Sequence, residues 1–198
     1  GGVGKTTLLH ELALDAREIG ADATYLDLRN VEATPDAFAA GLSVALGGSP
    51  QQNPVELLHG RSQRSVLLFD TWENLAALES WLRESFLPEL PATALTVIAS
   101  RSAPSTAWTT DPGWKSLLRV VPLRNLSPDE SMDYLNLRTV PLLERSGIVG
   151  FTHGHPLAIS LVADVLDQQP GYHFEPLAVP NIIESLLGRL IHDAPSRL

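Results

Sequence analysis

Gly1-Gly2-Val3-Gly4-Lys5-Thr6-Thr7 opens the chain and carries its most specific motif. A glycine followed by lysine and a hydroxyl residue matches the closing half of the phosphate-binding pattern Gly, any four residues, Gly, Lys, then Ser or Thr. Gly4, Lys5 and Thr6 occupy its last three positions. The first glycine of the pattern would fall before Gly1. The chain therefore reads as a piece of a longer protein that starts inside the motif, without the strand that should feed it. Glycines let successive backbone N–H groups converge into an anion nest, and the following helix adds its positive end. In such a loop Gly1, Gly2, Val3, Gly4, Lys5, Thr6 and Thr7 bind the phosphates. Lys5 serves as a point charge on the β- and γ-phosphates and the Thr6 hydroxyl as a Mg²⁺ ligand. The plain alternative is a flexible glycine-rich start to a helix. Against it stand the offset of Lys5 from Gly4, the hydroxyls directly after it, and the helical residues Leu8 to Ile19. The only lysines are Lys5 and Lys115, against twelve arginines, so a lysine here answers a specific need.

After the loop, Lys5 to Ile19 carries an apolar stripe at helical spacing through Leu8, Leu9, Leu12, Ala13, Ala16 and Ile19, and Gly20 is a stop. Ala23 to Leu28 reads as a strand. Thr34-Pro35 and Asn53-Pro54 each cap a helix, to about Leu46 and Gly60. Ser65-Val66-Leu67-Leu68-Phe69-Asp70 is an apolar run ending in a carboxylate, the pattern of a buried parallel strand. Ligands bind at that edge of open α/β sheets, and Asp70 is the second candidate Mg²⁺ ligand, directly or through water. Glu73 to Leu87 reads as one helix with Leu75, Leu78, Trp81, Leu82 and Phe86 inward. Ala94 to Ala99 is the next strand and ends in Ser100-Arg101, where the planar fork of Arg101 suits a γ-phosphate. Ala103 to Gly113 reads as a proline-rich loop, with Trp108 and Trp114 as packing residues, and Leu117 to Leu123 as a last strand.

The pattern turns helical at Arg124, which sets expected domains at 1–123 and 124–198. Ser127-Pro128-Asp129-Glu130 is a capping box opening a helix to about Leu137. Val140 to Arg145 is a short helical piece, and Pro156 opens a helix to about Leu166. Residues 167–180 read as a linker, followed by a final helix from Asn181 to about Ile191. His153 and His155 lack partners at metal-binding spacing.

At 198 residues and 44% apolar composition, the chain can form one α/β domain with a helical satellite. Its formal net charge of −9 argues against direct binding of nucleic acid or an anionic membrane by these residues. The absence of cysteine excludes disulfides and suits a reducing, cytoplasmic compartment.

Taken together these motifs resemble the STAND class of P-loop ATPases, which includes the NB-ARC domains, and the resemblance covers nearly the whole chain. Residues 1–7 are similar to that family's phosphate loop, and Leu67-Leu68-Phe69-Asp70-Thr71-Trp72 to its Walker B strand. Ile98-Ala99-Ser100-Arg101 is similar to its sensor, and Leu123 to Glu130 to the start of its helical subdomain. Gly154-His155-Pro156-Leu157 resembles its Gly-Leu-Pro-Leu motif, which implies that Pro156 packs near the adenine. The resemblance implies an α/β P-loop NTPase fold, a three-layer parallel sheet followed by a small all-helical subdomain. In that sheet the sensor strand lies between the phosphate-loop strand and the Walker B strand.

It also implies that ATP or ADP with Mg²⁺ is held between sheet and helical subdomain. Nucleotide state would switch a larger signalling or transcriptional regulator, through its other domains and a possible homo-oligomer. Two departures qualify this. Thr71 stands where the family carries an acidic residue that orients the attacking water, which leaves Glu73 as a possible substitute and makes slow hydrolysis, or binding without turnover, the alternatives. Ile191-His192-Asp193 imitates a later motif of the family but comes too soon after Pro156. Other P-loop enzymes fit less well, since the chain has neither an Asn-Lys-x-Asp nor a Leu-Ser-Gly-Gly-Gln signature.

Overall fold

The computed structural model describes residues 2–168 together with 173 and 174. Gly1, most of the expected linker, the expected helix from Asn181 and the Ile191-His192-Asp193 triplet lie outside the described residues. Two compact units are present: Lys5–Pro122, and Gly2–Gly4 with the described residues from Leu123 onward. No helix among the described residues is long and apolar enough to cross a membrane.

The first unit is built on a sheet of three parallel strands, β1 (Asp22–Asp27), β2 (Ser65–Asp70) and β3 (Ala94–Ile98), in the order β1-β2-β3. The register pairs Asp22 with Ser65 through to Asp27 with Asp70, and Ser65 with Ala94 through to Phe69 with Ile98. Every residue of β2 is buried, as expected of a central strand covered on both faces. Side chains alternate across it. Val66 and Leu68 join Leu9, Ala13 and Ala16 of helix α1 (Lys5–Glu18). Leu67 and Phe69 face the other way, into a cluster with Phe38 and Leu42 of helix α2 (Pro35–Ala45) and with Leu75, Leu82 and Phe86. Phe38 is fully buried and meets Phe69 and Phe86 edge-on, each at 5.2 Å.

The caps follow the sequence. Thr34 accepts from the Ala37 N–H at the start of α2, and Asn53 accepts from the Val55 N–H at the start of α3 (Pro54–His59). Helix α1 closes with Ala21 N–H on Ala16 C=O and Gly20 N–H on Arg17 C=O, the paired bonds of a Schellman stop. Its outer residues Leu8 and Ile19, assigned to the apolar stripe by spacing, are exposed.

Four expectations fail. The single helix over Glu73 to Leu87 is a composite: a 3₁₀ stretch Trp72–Leu78, one α turn Glu79–Trp81, a π turn Leu82–Phe86 and a 3₁₀ turn Leu87–Glu89. Its buried residues explain the change of winding. Trp72, Leu75 and Leu78 recur every three residues, which three residues per turn aligns. Leu78, Leu82 and Phe86 then recur every four. The loop over Ala103 to Gly113 contains helix α4 (Thr106–Thr110) and leads into α5 (Pro112–Leu117). Asp111 caps α5 by accepting from the Gly113 N–H, with Pro112 in its first turn. Trp108 and Trp114 pack edge-on at 5.1 Å against the core. The strand expected over Leu117 to Leu123 does not form; Leu117 ends α5, and Val120 and Val121 are exposed with no strand partner among the described residues. The piece at Val140 to Arg145 is a longer helix, α7 (Leu142–Thr152), which runs through Gly147 and Gly150.

In the second unit, α6 (Pro128–Leu137), α7 and α8 (Pro156–Gln168) surround Leu135, Ile148, Ile159, Val162 and Ala163. The capping box forms, with the Ser127 hydroxyl accepting from the Glu130 N–H and the Glu130 carboxylate accepting from the Ser127 N–H. The Arg124 guanidinium, and then that N–H, hold the exposed Glu130 carboxyl down at about 2. Gly154 has φ +72 and accepts from the Leu126 N–H at 2.8 Å; a Cβ on it would lie 2.0 Å from the Leu126 carbonyl oxygen.

Gly154→Ala is therefore expected to destabilise this unit by roughly 1–3 kcal/mol from backbone strain, plus about 1 kcal/mol from the displaced Leu126 bond. Gly60→Ala, where φ is −73 and the new methyl meets only ordinary contacts, should change stability little. Urea unfolding of the two variants checks the contrast, and equal effects would refute it.

Candidate functional site

Parallel pairing brings the C-terminal ends of β1 and β2 together, with Asp27 opposite Asp70. Asp70 is 5% exposed and is the one buried charged side chain among the described residues. Three donors converge on its carboxylate. The Thr6 hydroxyl, from the first turn of α1, donates to Oδ2 at 2.6 Å. The Tyr25 phenol, from β1, donates to the same oxygen at 2.9 Å. The Thr71 backbone N–H donates to Oδ1 at 2.8 Å. Burial, and then the Asp70 carboxylate, push the Tyr25 phenol up to about 12, so it stays a neutral donor. His10 of α1 lies edge-on to the Tyr25 ring at 4.8 Å. Asp27 is engaged by Arg29, whose guanidinium holds the Asp27 carboxyl below the usual range.

Lys5 begins α1 and is half-buried, its side chain with no hydrogen-bond or ion-pair partner among the described residues; Thr6 and Thr7 follow, both exposed. Thr71 sits in the left-handed region, at φ 61 and ψ 42, a strained place for a β-branched residue. Glu73 and Arg101, expected to act separately, bond each other. Arg101 Nε lies 2.9 Å from Glu73 Oε1, and the Arg101 N–H donates to Oε2 at 3.2 Å. The Arg101 side chain is 70% exposed.

The remaining predicted residues belong to the second unit. Gly2 and Gly4 have φ of +80 and +90, and Val3 is half-buried between them. The Gly2 carbonyl accepts from the Leu157 N–H at 3.1 Å, and a Cβ on Gly2 would come within 2.8 Å of the His155 ring. Pro156 is the first residue of α8, and His155 Nδ1 accepts from the Ala158 N–H at 3.4 Å.

The donor set suits a hard cation: a hydroxyl and a carboxylate oxygen, 2.6 Å apart, drawn from a helix start and a strand end. No group of three or more His, Asp or Glu side chains among the described residues could hold a metal by itself. A cation here would take its remaining ligands from phosphate and water, as Mg²⁺ does. Sequence reasoning missed Tyr25 and His10. A strand tyrosine two residues before Asp27 shares its face with Asp27, but only the register with β2 places its hydroxyl on Asp70.

Three parallel strands with helices on both faces, and a helix start bonded to the carboxylate ending the central strand, make this a P-loop NTPase-like α/β fold. The chain is similar to the solved structure of the Aeropyrum pernix Orc1 protein in complex with DNA, with a TM-score of 0.56 and 18% identity. The match covers 94% of this chain and 57% of that one, so this chain spans little more than half the length of the protein it resembles. At this identity the likeness concerns the fold. No family model and no curated protein matches the chain.

The raised Tyr25 value carries a prediction. A folded-state value of about 12 against an ordinary 10.0 contributes stability that is fully present below pH 10 and lost as pH rises through 12. Wild type should therefore lose stability over that window more steeply than Tyr25→Phe. Denaturant midpoints at pH 9 and pH 11 check this, and parallel losses would refute it.

Proposed function

We propose that this chain is an ATP- or ADP-binding switch module of the STAND class, part of a larger regulator, in which Mg²⁺-dependent hydrolysis is slow. The observation that carries the reading is the 2.6 Å bond between Thr6 and Asp70, residues 64 apart in sequence. Two independent motifs, a lysine-threonine helix start and an acid-ended strand, meet at one point. A flexible glycine-rich start has no reason to meet that strand end.

The roles follow from chemistry. The N–H groups opening α1 and the Lys5 ammonium attract phosphate oxygens. The Thr6 hydroxyl and Asp70 carboxylate would hold Mg²⁺, which when bound supplies a counter-charge on the phosphates. Asp70 also fixes Thr6 by accepting a hydrogen bond from its hydroxyl. Arg101 stands at the C-terminal edge of the sheet, with a guanidinium suited to phosphate. The roles of Gly1 to Gly4 and of Pro156 rest on the family resemblance. The ligand class proposed is a nucleotide rather than a nucleic acid, since the net charge of −9 opposes polyanion binding.

A second reading is a nucleotide-binding scaffold without turnover. Two observations favour it: Thr71 cannot serve as a base, and Glu73, the possible substitute, is occupied by Arg101.

Lys5→Ala is expected to weaken triphosphate binding by roughly 1.5–3 kcal/mol, the worth of a hydrogen bond to a charged group, or about tenfold to 150-fold in Kd. Unchanged affinity by calorimetry would sink the phosphate-loop reading. Thr71→Asp should raise phosphate release in a multiple-turnover assay without loss of melting temperature, because Asp tolerates the left-handed backbone better than Thr. No gain, with turnover abolished in Glu73→Gln, would assign the base role to Glu73. No turnover in any form would favour the scaffold.

A further inference from the structure

We infer that Tyr25 is a positioning residue for the divalent cation: its phenol holds Asp70 in the orientation that serves the metal. This rests on the nucleotide-binding reading above and adds a residue to it. Asp70 Oδ1 is taken by the Thr71 N–H, and Oδ2 is shared by Thr6 and Tyr25. Of these donors, the Thr6 oxygen must turn a lone pair toward the cation. The Thr71 N–H belongs to a strained backbone position, at φ 61. The Tyr25 bond is the one that can persist unchanged on Oδ2 whether or not a cation is present.

Three further observations support this role over simple packing. Tyr25 lies on the α1 face of β1, where packing against Leu9 and Leu68 asks only for an apolar side chain. Its hydroxyl is instead aimed along the strand direction, past its register partner Leu68, to the carboxylate two residues further on. Its ring is held from the other side by the edge-on imidazole of His10. Both ends of the side chain are thus fixed, one by a ring and one by the site. Partners that orient a ligating carboxylate typically change metal affinity by about 10–100-fold when removed.

The test uses Tyr25→Phe, which keeps the ring and its contact with His10 and removes only the hydroxyl. Nucleotide affinity of the full chain is measured by calorimetry as a function of Mg²⁺ concentration and again in EDTA. Mn²⁺ occupancy in the presence of nucleotide is followed by electron paramagnetic resonance. The expected result is a rise of about tenfold or more in the Mg²⁺ midpoint and Mn²⁺ Kd, with metal-free nucleotide affinity unchanged in a variant that remains folded at pH 7. Wild-type metal midpoints in Tyr25→Phe overturn the inference. So does a parallel fall of metal-free and metal-bound affinity, which marks a purely structural role. Asp70→Asn separates the two levels. If wild type shows metal-dependent nucleotide binding that Asp70→Asn loses, a null result for Tyr25→Phe refutes the positioning role alone. If wild type itself shows no metal-dependent binding, the nucleotide reading fails and the inference with it.

Discussion

A carboxylate taken out of water is costly unless hydrogen-bonded donors replace its solvation. Asp70 is such a group, and the first unit is arranged around meeting that requirement. Its donors come from three places: the start of α1, the middle of β1 and the turn after β2. The first two reach Asp70 only because β1 pairs in parallel with β2 in the observed register and α1 lies along their shared face. The small residues Ala13 and Ala16 let α1 pack closely on Val66 and Leu68. A slip of one residue would turn Asp70 into the aromatic cluster on the other face, where no donor waits. The site and the register therefore specify each other.

The backbone after Asp70 shows how a strained position is kept. Thr71 in the left-handed region costs on the order of 1–3 kcal/mol. The bend sends Trp72 into the core, where it is 6% exposed, and its N–H bonds the Ala99 carbonyl at 3.0 Å. Removing a buried aromatic of this size typically costs about 3–5 kcal/mol, so the packing gained outweighs the strain. The same bend points the Thr71 N–H at Oδ1 of Asp70. The composite helix that follows continues this logic, its winding set by which side chains must reach Phe38.

Much of this was legible in the residues. Capping by Thr34, Asn53 and Ser127 depends on neighbours two or three positions away, so local sequence carries it. The acid-ended apolar run of β2 and the phosphate-loop lysine and threonine are equally local. What sequence could not carry was non-local. The spacing of Trp72, Leu75 and Leu78 against Leu82 and Phe86 mixes periods of three and four, and only the packing partner decides the winding. Val120 and Val121 have strand chemistry, yet a strand needs a neighbour, and none of the described residues supplies one. Helix α7 runs on through Gly147 and Gly150 because burial of Ile148 and Thr152 outweighs the poor helix propensity of glycine. Asp111-Pro112 was a local signal for α5, obscured by the prolines around it. Tyr25 belongs with the non-local group, since its partner is 45 residues away.

The site divides into a fixed part and an exchangeable part, and magnitudes set the division. The Asp70 carboxylate is buried and shares three part-buried bonds, so their loss leaves its charge less well compensated. The pair between Arg101 and Glu73 is different: Arg101 is 70% exposed, and ion pairs in such settings contribute about 0–1 kcal/mol. Under the proposed reading, a phosphate group within reach of Arg101 would compete with Glu73 for its guanidinium. Binding and release of the terminal phosphate would then alter which partner Arg101 holds, at little energetic cost to the rest of the sheet. Under that reading, the rigid carboxylate cradle would bind every nucleotide and the weakly held cation would tell them apart.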